Sequence, residues 1–323
     1  MKIVITYNKP GKNALEDELD ILDEVALVSA CLKELGHEVI KLPMTLNLEK
    51  AFLFLKNEKP DLIFNLVESL QNYGAIVFFP PALFDILQIP YTGNPTVPMF
   101  FTAGKTITKQ ALFNAGLPVT ASYKPSEVAD LPNGKYILKP LWEEGSLGLD
   151  EASVFEITGL DNINLNSFAN DLYFIEPYID GREFNVSLLA INSEPVVLAV
   201  AEILFVDYPS DKPKVLGYRA KWNEESFEFK NTVRTYDLGK NGNQIHKLLS
   251  DISLKCWKTL GLKGYARVDF RMDNSGNPFI LEVNANPCIT PGSGFYAACE
   301  YAGYSFTQVV DKIIKEVKAK IRL

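Results

Sequence analysis

Histidine is almost missing from this chain: there are two in 323 residues, His37 and His246. His37 follows Gly36 between a helical and a strand-like stretch, and His246 lies in a helical one, so both read as ordinary positions. Ser-His-Asp catalysis and a histidine-rich metal centre are thereby disfavoured. Cysteine is scarce too, and the four at 31, 256, 288 and 299 lack paired metal-type spacing. They fit free thiols in a reducing compartment. No apolar run approaches the length of a membrane span, and MKIVITYN at the start lacks the apolar length and cleavage site of a signal peptide. A cytoplasmic location is expected. No GxGxxG follows the first apolar run, which argues against a nicotinamide dehydrogenase. Positive charge is in deficit, and a net charge of −8 disfavours a nucleic-acid or membrane surface while permitting a local basic pocket for phosphates.

What is present is the composition of a soluble globular protein, 47% hydrophobic and 22% charged, in a chain too long for one ordinary core. The first hundred residues alternate apolar strands (2–6, 37–42, 61–67) with helices (18–35, 47–57, near 81–87). That order predicts a mostly parallel sheet covered on both faces. The turn-rich IPYTGNPTVP at 89–98 reads as a domain junction. A helix over 104–115 follows, then short strands at 119–124 and 136–139, a loop containing EEGSLG, and a strand at 172–176. A long strand at 195–205, a helix over 243–260, a strand pair and a final helix complete an α+β region of two β-rich units sharing a cleft.

The most informative stretch is GYARVDFRMDNSGNPFILEVNANPCIT, residues 264–290. In its first strand Tyr265, Arg267, Asp269 and Arg271 share one face, opposite Ala266, Val268, Phe270 and Met272. DNSGNP makes a turn, and Ile280, Glu282 and Asn284 share a face of the second strand. If Met272 pairs with Phe279, Asp269 falls opposite Glu282 and Arg267 opposite Asn284, with paired side chains about 5 Å apart. Leu281 and Val283 then join the apolar face. Two carboxylates side by side are costly without a cation between them, and oxygen ligands on rigid strands suit Mg²⁺ completed by phosphate oxygens. A solvated hairpin face with a cross-strand ion pair is the alternative; four such groups on one face favour the metal site.

At these residues the chain resembles the ATP-grasp ligases, and among them the D-alanine–D-alanine ligase family, from PYTGN to Ser293. The resemblance implies an ATP-grasp fold, α/β and α+β, with a Rossmann-like parallel domain (1–97), a small central lid domain (98–186) and a C-terminal catalytic domain (187–323). It implies ATP with Mg²⁺ (Mn²⁺ as a substitute), small amino-acid or peptide substrates, no nucleic-acid or membrane partner, and a homodimer. Lys105, Lys139 and Lys221 would contact phosphates, and Gly145, Ser146 and Gly148 would belong to the phosphate lid. Glu176 and Glu183 would bind adenine and ribose, with Tyr178 and Ile179 giving the backbone contact to the base. Asp269, Glu282 and Asn284 would hold the metal, and Arg267 with the backbone N–H of Cys288 would stabilise the reaction's oxyanion. Ser293 would hold the acceptor's carboxylate; on physical grounds alone, it is equally an N-cap.

The implied reaction is ATP-dependent carboxylate–amine ligation through an acyl phosphate, the alternatives being a silent ATP-binding module or an ATP-grasp kinase. The departures from the family pattern concern the substrates. Its N-terminal acidic-Val-Ser signature has no clear match among Asp17, Glu18, Asp20, Asp23 and Glu24, and Glu68 stands where a His-Gly signature is expected. The family's lid serine falls on Gly145, its capping tyrosine on Trp222, and its usual glycine on Cys288. Retained nucleotide machinery with remodelled substrate pockets is expected.

Overall fold

A computed structural model of the chain describes residues 1–11, 14–142, 148–159, 163–165 and 167–321. It opens with strand β1 (Lys2–Asn8), helix α1 (Glu16–Glu34), strand β2 (Glu38–Met44), helix α2 (Leu48–Glu58) and strand β3 (Leu62–Asn65). The strands form a parallel sheet in the order β2-β1-β3. Ile3 and Ile5 of β1 pack with Ile21, Val25 and Val28 of α1, while Val4 packs with Leu55 of α2 on the opposite face. A strand covered on both sides needs the unbroken apolar run seen in the sequence.

Helices α3 (Phe79–Leu87), α4 (Thr96–Ala103) and α5 (Lys105–Asn114) follow. The segment read as a junction therefore runs into an unanticipated helix. Pro98 is tolerated because it lies in the first turn of α4, where backbone N–H groups have no intrahelical partner. Asn94 ties this segment to the body of the protein, donating to the carbonyls of Tyr265 and Ala285 at 2.9 and 2.7 Å and accepting from the N–H of Lys263 at 2.6 Å. Gly264, at φ 68°, lets the chain pass so close that a Cβ would stand 2.9 Å from Gly93 Cα.

Strands β4 (Gly134–Pro140), β5 (Val154–Ile157) and β6 (Tyr173–Pro177) make a small antiparallel sheet in the order β5-β4-β6. A larger antiparallel sheet uses β7 (Gly181–Ile191) and β8 (Glu194–Phe205); helices α6 (Tyr218–Trp222) and α7 (Phe227–Lys230) lead to β9 (Thr232–Thr235). Helix α8 (Gly242–Leu260), β10 (Tyr265–Asp273), β11 (Pro278–Asn284), α9 (Gly294–Tyr301) and α10 (Phe306–Ile321) complete the chain. The order is β11-β10-β7-β8-β9. One face of this sheet packs on α5 and α8 through Leu112, Leu249 and Cys256. At one end of the other face, Tyr265 and Leu189 join α1, α9 and α10 in a second core. The remainder of that face looks onto a cleft.

The strand predicted over 119–124 does not form. Val119 instead bridges Ile280 at the edge of the large sheet, and Tyr123 bridges Ile175 of the small one. The segment is divided between two sheets, so neither gives it a continuous ladder.

Candidate active site

Strand β10 sets the site. Its alternation places Arg267, Asp269 and Arg271 on the cleft side and Ala266, Val268, Phe270 and Met272 in the core. Across β11, Asp269 lies opposite Glu282 and Arg267 opposite Asn284, as predicted. The route to that register differs from the prediction. Met272 pairs with Pro278 rather than Phe279, and a bulge between the Asp269 and Phe270 pairings absorbs one residue of β11. The bulge also corrects the face assignment. Ile280 joins Val283 in the core, and Leu281 turns to the cleft beside Glu282. Bulges re-aim side chains in this way at sheet edges and beside active sites.

On its other side β10 pairs with β7, so Ser187, Asn185 and Glu183 face Arg267, Asp269 and Arg271. Arg267 donates from Nε and Nη2 to the two oxygens of Asp269, each at 2.8 Å, and Asn185 adds a donor at 2.8 Å. Arg271 pairs with Glu183 at 2.8 Å. Glu282 is buried against ionisation, yet Lys105, Lys221, Arg267 and Lys139 hold its carboxyl below the usual range.

The cleft between the two sheets spans about 880 Å³, part of it open to solvent. Lys105, Lys139, Glu176, Tyr178, Ile179, Glu183, Lys221, Asp269 and Glu282 all line it, so the structure gathers these predicted residues into one place. Gly148 stands near its wall, where a Cβ would meet Pro140. Gly145 and Ser146 lie outside the described residues. The apolar walls are Ile137, Pro177, Val215 and Leu216, with Leu281 from the bulge. The hydroxyl of Tyr178 accepts from the N–H of Lys214 at 2.8 Å, docking that loop over the cleft.

Glu176 is not a free carboxylate. Lys139 meets one oxygen at 2.6 Å, and Lys109 meets the other at 2.6 Å, beside a short bond from Thr120. Burial opposes its charge, but the two lysines hold it at about 2. Two ammonium groups share one carboxylate, so the surplus positive charge falls on the lysines, and burial pulls Lys109 below the ordinary lysine range. Lys109 was missed from sequence because KTITKQ offers two lysines four apart without showing which turns inward. It reaches Thr120, Glu176 and the carbonyl of Ile280, joining α5, both sheets and the segment between them.

A second group of side chains meets beyond the Arg267 rung. Among the five N-terminal acids the sequence left unresolved, the structure selects Asp20 and Glu24, four apart on the inward face of α1. Asp20 accepts from the thiol of Cys288 at 3.0 Å and the hydroxyl of Thr290 at 3.1 Å. Glu24 accepts from the N–H of Ile289 at 2.7 Å. Burial, reinforced by Glu24, Glu68 and Asp20, pushes the Cys288 thiol well above its ordinary value. A protonated thiol is a poor nucleophile. Ser293 caps α9, its Oγ accepting from the N–H of Tyr296 at 3.3 Å.

Burial raises Glu24 from an ordinary 4.5 to about 8, despite hydrogen bonds from Ile289 and Cys288 that work the other way. A carboxyl raised in the fold favours the protonated form, so its contribution to stability is complete below about pH 4.5 and is lost as pH rises to about 8. Glu24→Gln is expected to flatten that part of the profile, read from urea midpoints between pH 5 and pH 8. Parallel profiles for the two proteins would place the titration elsewhere.

Asp269, Glu282 and Asn284 offer oxygen donors on neighbouring positions of one rigid sheet face, at the end of a cleft lined by Lys105, Lys139 and Lys221 among others. That donor set fits a hard divalent cation brought in with phosphates. Asn284 Oδ1 also accepts from the N–H of Asn286 at 2.9 Å, which fixes its orientation. A small space lined by Thr102, Lys105, Glu282 and Asn284 adjoins the carboxylates.

Comparison with known proteins agrees with this geometry. The family model described as the D-ala D-ala ligase C-terminus matches residues 129–315. The D-alanine–D-alanine ligase of Aquifex aeolicus is 29% identical over 325 residues, covering 97% of this chain and 100% of that protein. The uncharacterized protein y4sG of Sinorhizobium fredii is 28% identical over 298 residues, covering 89% of this chain and 85% of that protein. Among solved structures, D-alanine–D-alanine ligase from Bacillus anthracis complexed with ATP shares the fold with a TM-score of 0.72 at 19% identity, over 99% of this chain and 98% of that one. The VanG D-Ala:D-Ser ligase from Enterococcus faecalis does so with a TM-score of 0.70 at 18% identity, over 98% and 99%. Since the family model spans more than half of its length and the ATP-grasp fold runs through nearly all of it, the chain belongs to the D-alanine–D-alanine ligase family, whose members are ligases that form C–N bonds.

Proposed function

We propose that the protein activates the carboxylate of an amino acid or short peptide with ATP and joins it to an amine, with substrate pockets remodelled relative to D-alanine–D-alanine ligases. The observation that carries this reading is the meeting of Lys105, Lys139 and Lys221 with Asp269 and Glu282 in one cleft, with Arg267 paired to Asp269. The base of ATP would lie between Ile137, Leu216 and Leu281, with Tyr178 and Ile179 along its edge and Glu183 toward the ribose. Lys105, Lys139 and Lys221 would neutralise the phosphates. Asp269, Glu282 and Asn284 would hold Mg²⁺, which when bound offsets phosphate charge.

Attack of the donor carboxylate on the γ-phosphorus forms an acyl phosphate and releases ADP. The amine then adds to the acyl carbon, phosphate leaves, and the amine's proton is lost. Arg267 and the backbone N–H of Cys288 would stabilise the oxyanion in between. Asp20, Glu24 and Glu68, gathered around Cys288, would hold a donor that carries an ammonium group.

The test is to incubate the protein with ATP, Mg²⁺ and a panel of L- and D-amino acids and short peptides, following phosphate release and product mass together. Amide product matched by ADP and phosphate is the expected result. A phosphorylated acceptor without amide would make it a kinase. D-alanyl-D-alanine formed as fast as the best other product would remove the case for remodelled pockets.

A further inference from the structure

One charge beside the start of α9 has no carboxylate partner among the described residues. Arg234, on β9, donates from Nη2 to the carbonyl of Gly292 at 3.2 Å. Its Nε is closed off from solvent with no hydrogen-bond partner among the described residues. Two residues on, the hydroxyl of Tyr236 is likewise buried and unpartnered, its ring stacked on Tyr301 of α9 at 3.9 Å. Buried donors left unpaired are uncommon and unfavourable, and two so close together point to a missing acceptor.

The space beside them is shaped by Gly294, the first residue of α9. A Cβ built there would stand 3.6 Å from Arg267 Nη1 and 4.0 Å from Arg234 Nη2. Two guanidinium groups thus converge on the bare Cα of Gly294, where a single added carbon would already touch both, and we call the space beside them the Gly294 gap. Asp269 balances Arg267 through a bidentate pair, whereas no carboxylate among the described residues pairs with Arg234. An anion in the gap would relieve the repulsion and satisfy the fork of Arg234. It would be distinct from an anion at the start of α9, where the Ser293 hydroxyl and the N–H groups of the first turn face outward along the helix axis.

We propose that the amine substrate is dicarboxylic, with one carboxylate at Ser293 and the first turn of α9 and the other in the Gly294 gap against Arg234. This rests on the reading above that the start of α9 faces the acceptor.

Calorimetric titration of aspartate, glutamate, asparagine and glutamine, each as both stereoisomers, into the full chain loaded with Mg·ADP tests it. At least one acid is expected to bind about tenfold or more tightly than its amide. Arg234→Gln is expected to erase that difference, and Gly294→Leu to abolish binding of the acid, with Mg·ADP affinity kept in both. Equal binding of acid and amide, binding of neither, or a preference that survives Arg234→Gln would overturn the proposal. An amide product from neutral acceptors in the panel assay, without an acid preference here, would sink this inference and leave the ligase standing.

Discussion

Arg267→Ala is expected to lower the rate of amide formation by on the order of 10²–10³ while Mg·ATP still binds. Nε and Nη2 of Arg267 are engaged by Asp269, and Nη1 is the end turned toward Gly294. Under the proposed function one guanidinium would both position a carboxylate and present a further donor to the reacting carbon. Burial works against its charge, but Asp269 and Glu282 more than offset this and raise its affinity for the proton, so it is cationic throughout the working range. Arg267→Lys keeps the charge and loses the fork, so it should recover only part of the rate. Single-turnover phosphate release and circular dichroism on the same samples separate lost chemistry from lost folding. A folded Arg267→Ala protein within tenfold of the parent rate would remove Arg267 from the reaction.

The second large effect belongs to a residue expected to touch no substrate. Lys109→Met should destabilise the protein by about 3–5 kcal/mol, because it removes one partner of a buried ion pair and leaves Glu176 with Lys139 as its one charged partner beside the Thr120 hydroxyl. Lys139 would then be drawn to structural duty and away from phosphate, so KM for ATP should rise as well. The double variant Lys109→Met, Glu176→Leu should be more stable than the sum of its single changes, since both charges leave together. The carboxyl of Glu176 is held at about 2 against an ordinary 4.5, so its stabilisation is complete above about pH 4.5 and is lost as pH falls toward 2. That acid limb should shrink in Lys109→Met. A change in urea-derived stability below about 1 kcal/mol would mean that Lys109 is merely accommodated.

Much of this was readable in the residues because it depends on short-range pattern. Runs such as KIVITYN must be covered on both faces, and the period-two alternation of YARVDFRM puts Arg267 opposite in sense to Val268 wherever that strand lies. The metal-type cluster followed from two alternating strands and a turn. The predicted Asp269–Glu282 pairing was reached from a wrong anchor, Met272–Phe279 instead of Met272–Pro278. The bulge that compensates leaves no signature in FILEV.

The remaining features depend on contacts between distant segments. Lys109 and Lys105 are one helical turn apart and look alike in sequence; burial of the first is decided by Glu176 and Thr120, brought to it from other elements. Six acids, Glu16 to Glu24, stand near the N-terminus, and only the packing of α1 against residues 288–290 selects Asp20 and Glu24. The same holds for Arg234, an unremarkable strand residue until β9 is laid beside the start of α9. The sequence by itself determined most of the main strands and helices and which groups share a face of β10, because those follow from local periodicity. Only the tertiary structure decided which charges are paired, buried or left without a partner, because desolvation and neighbouring charge are properties of the assembled surroundings.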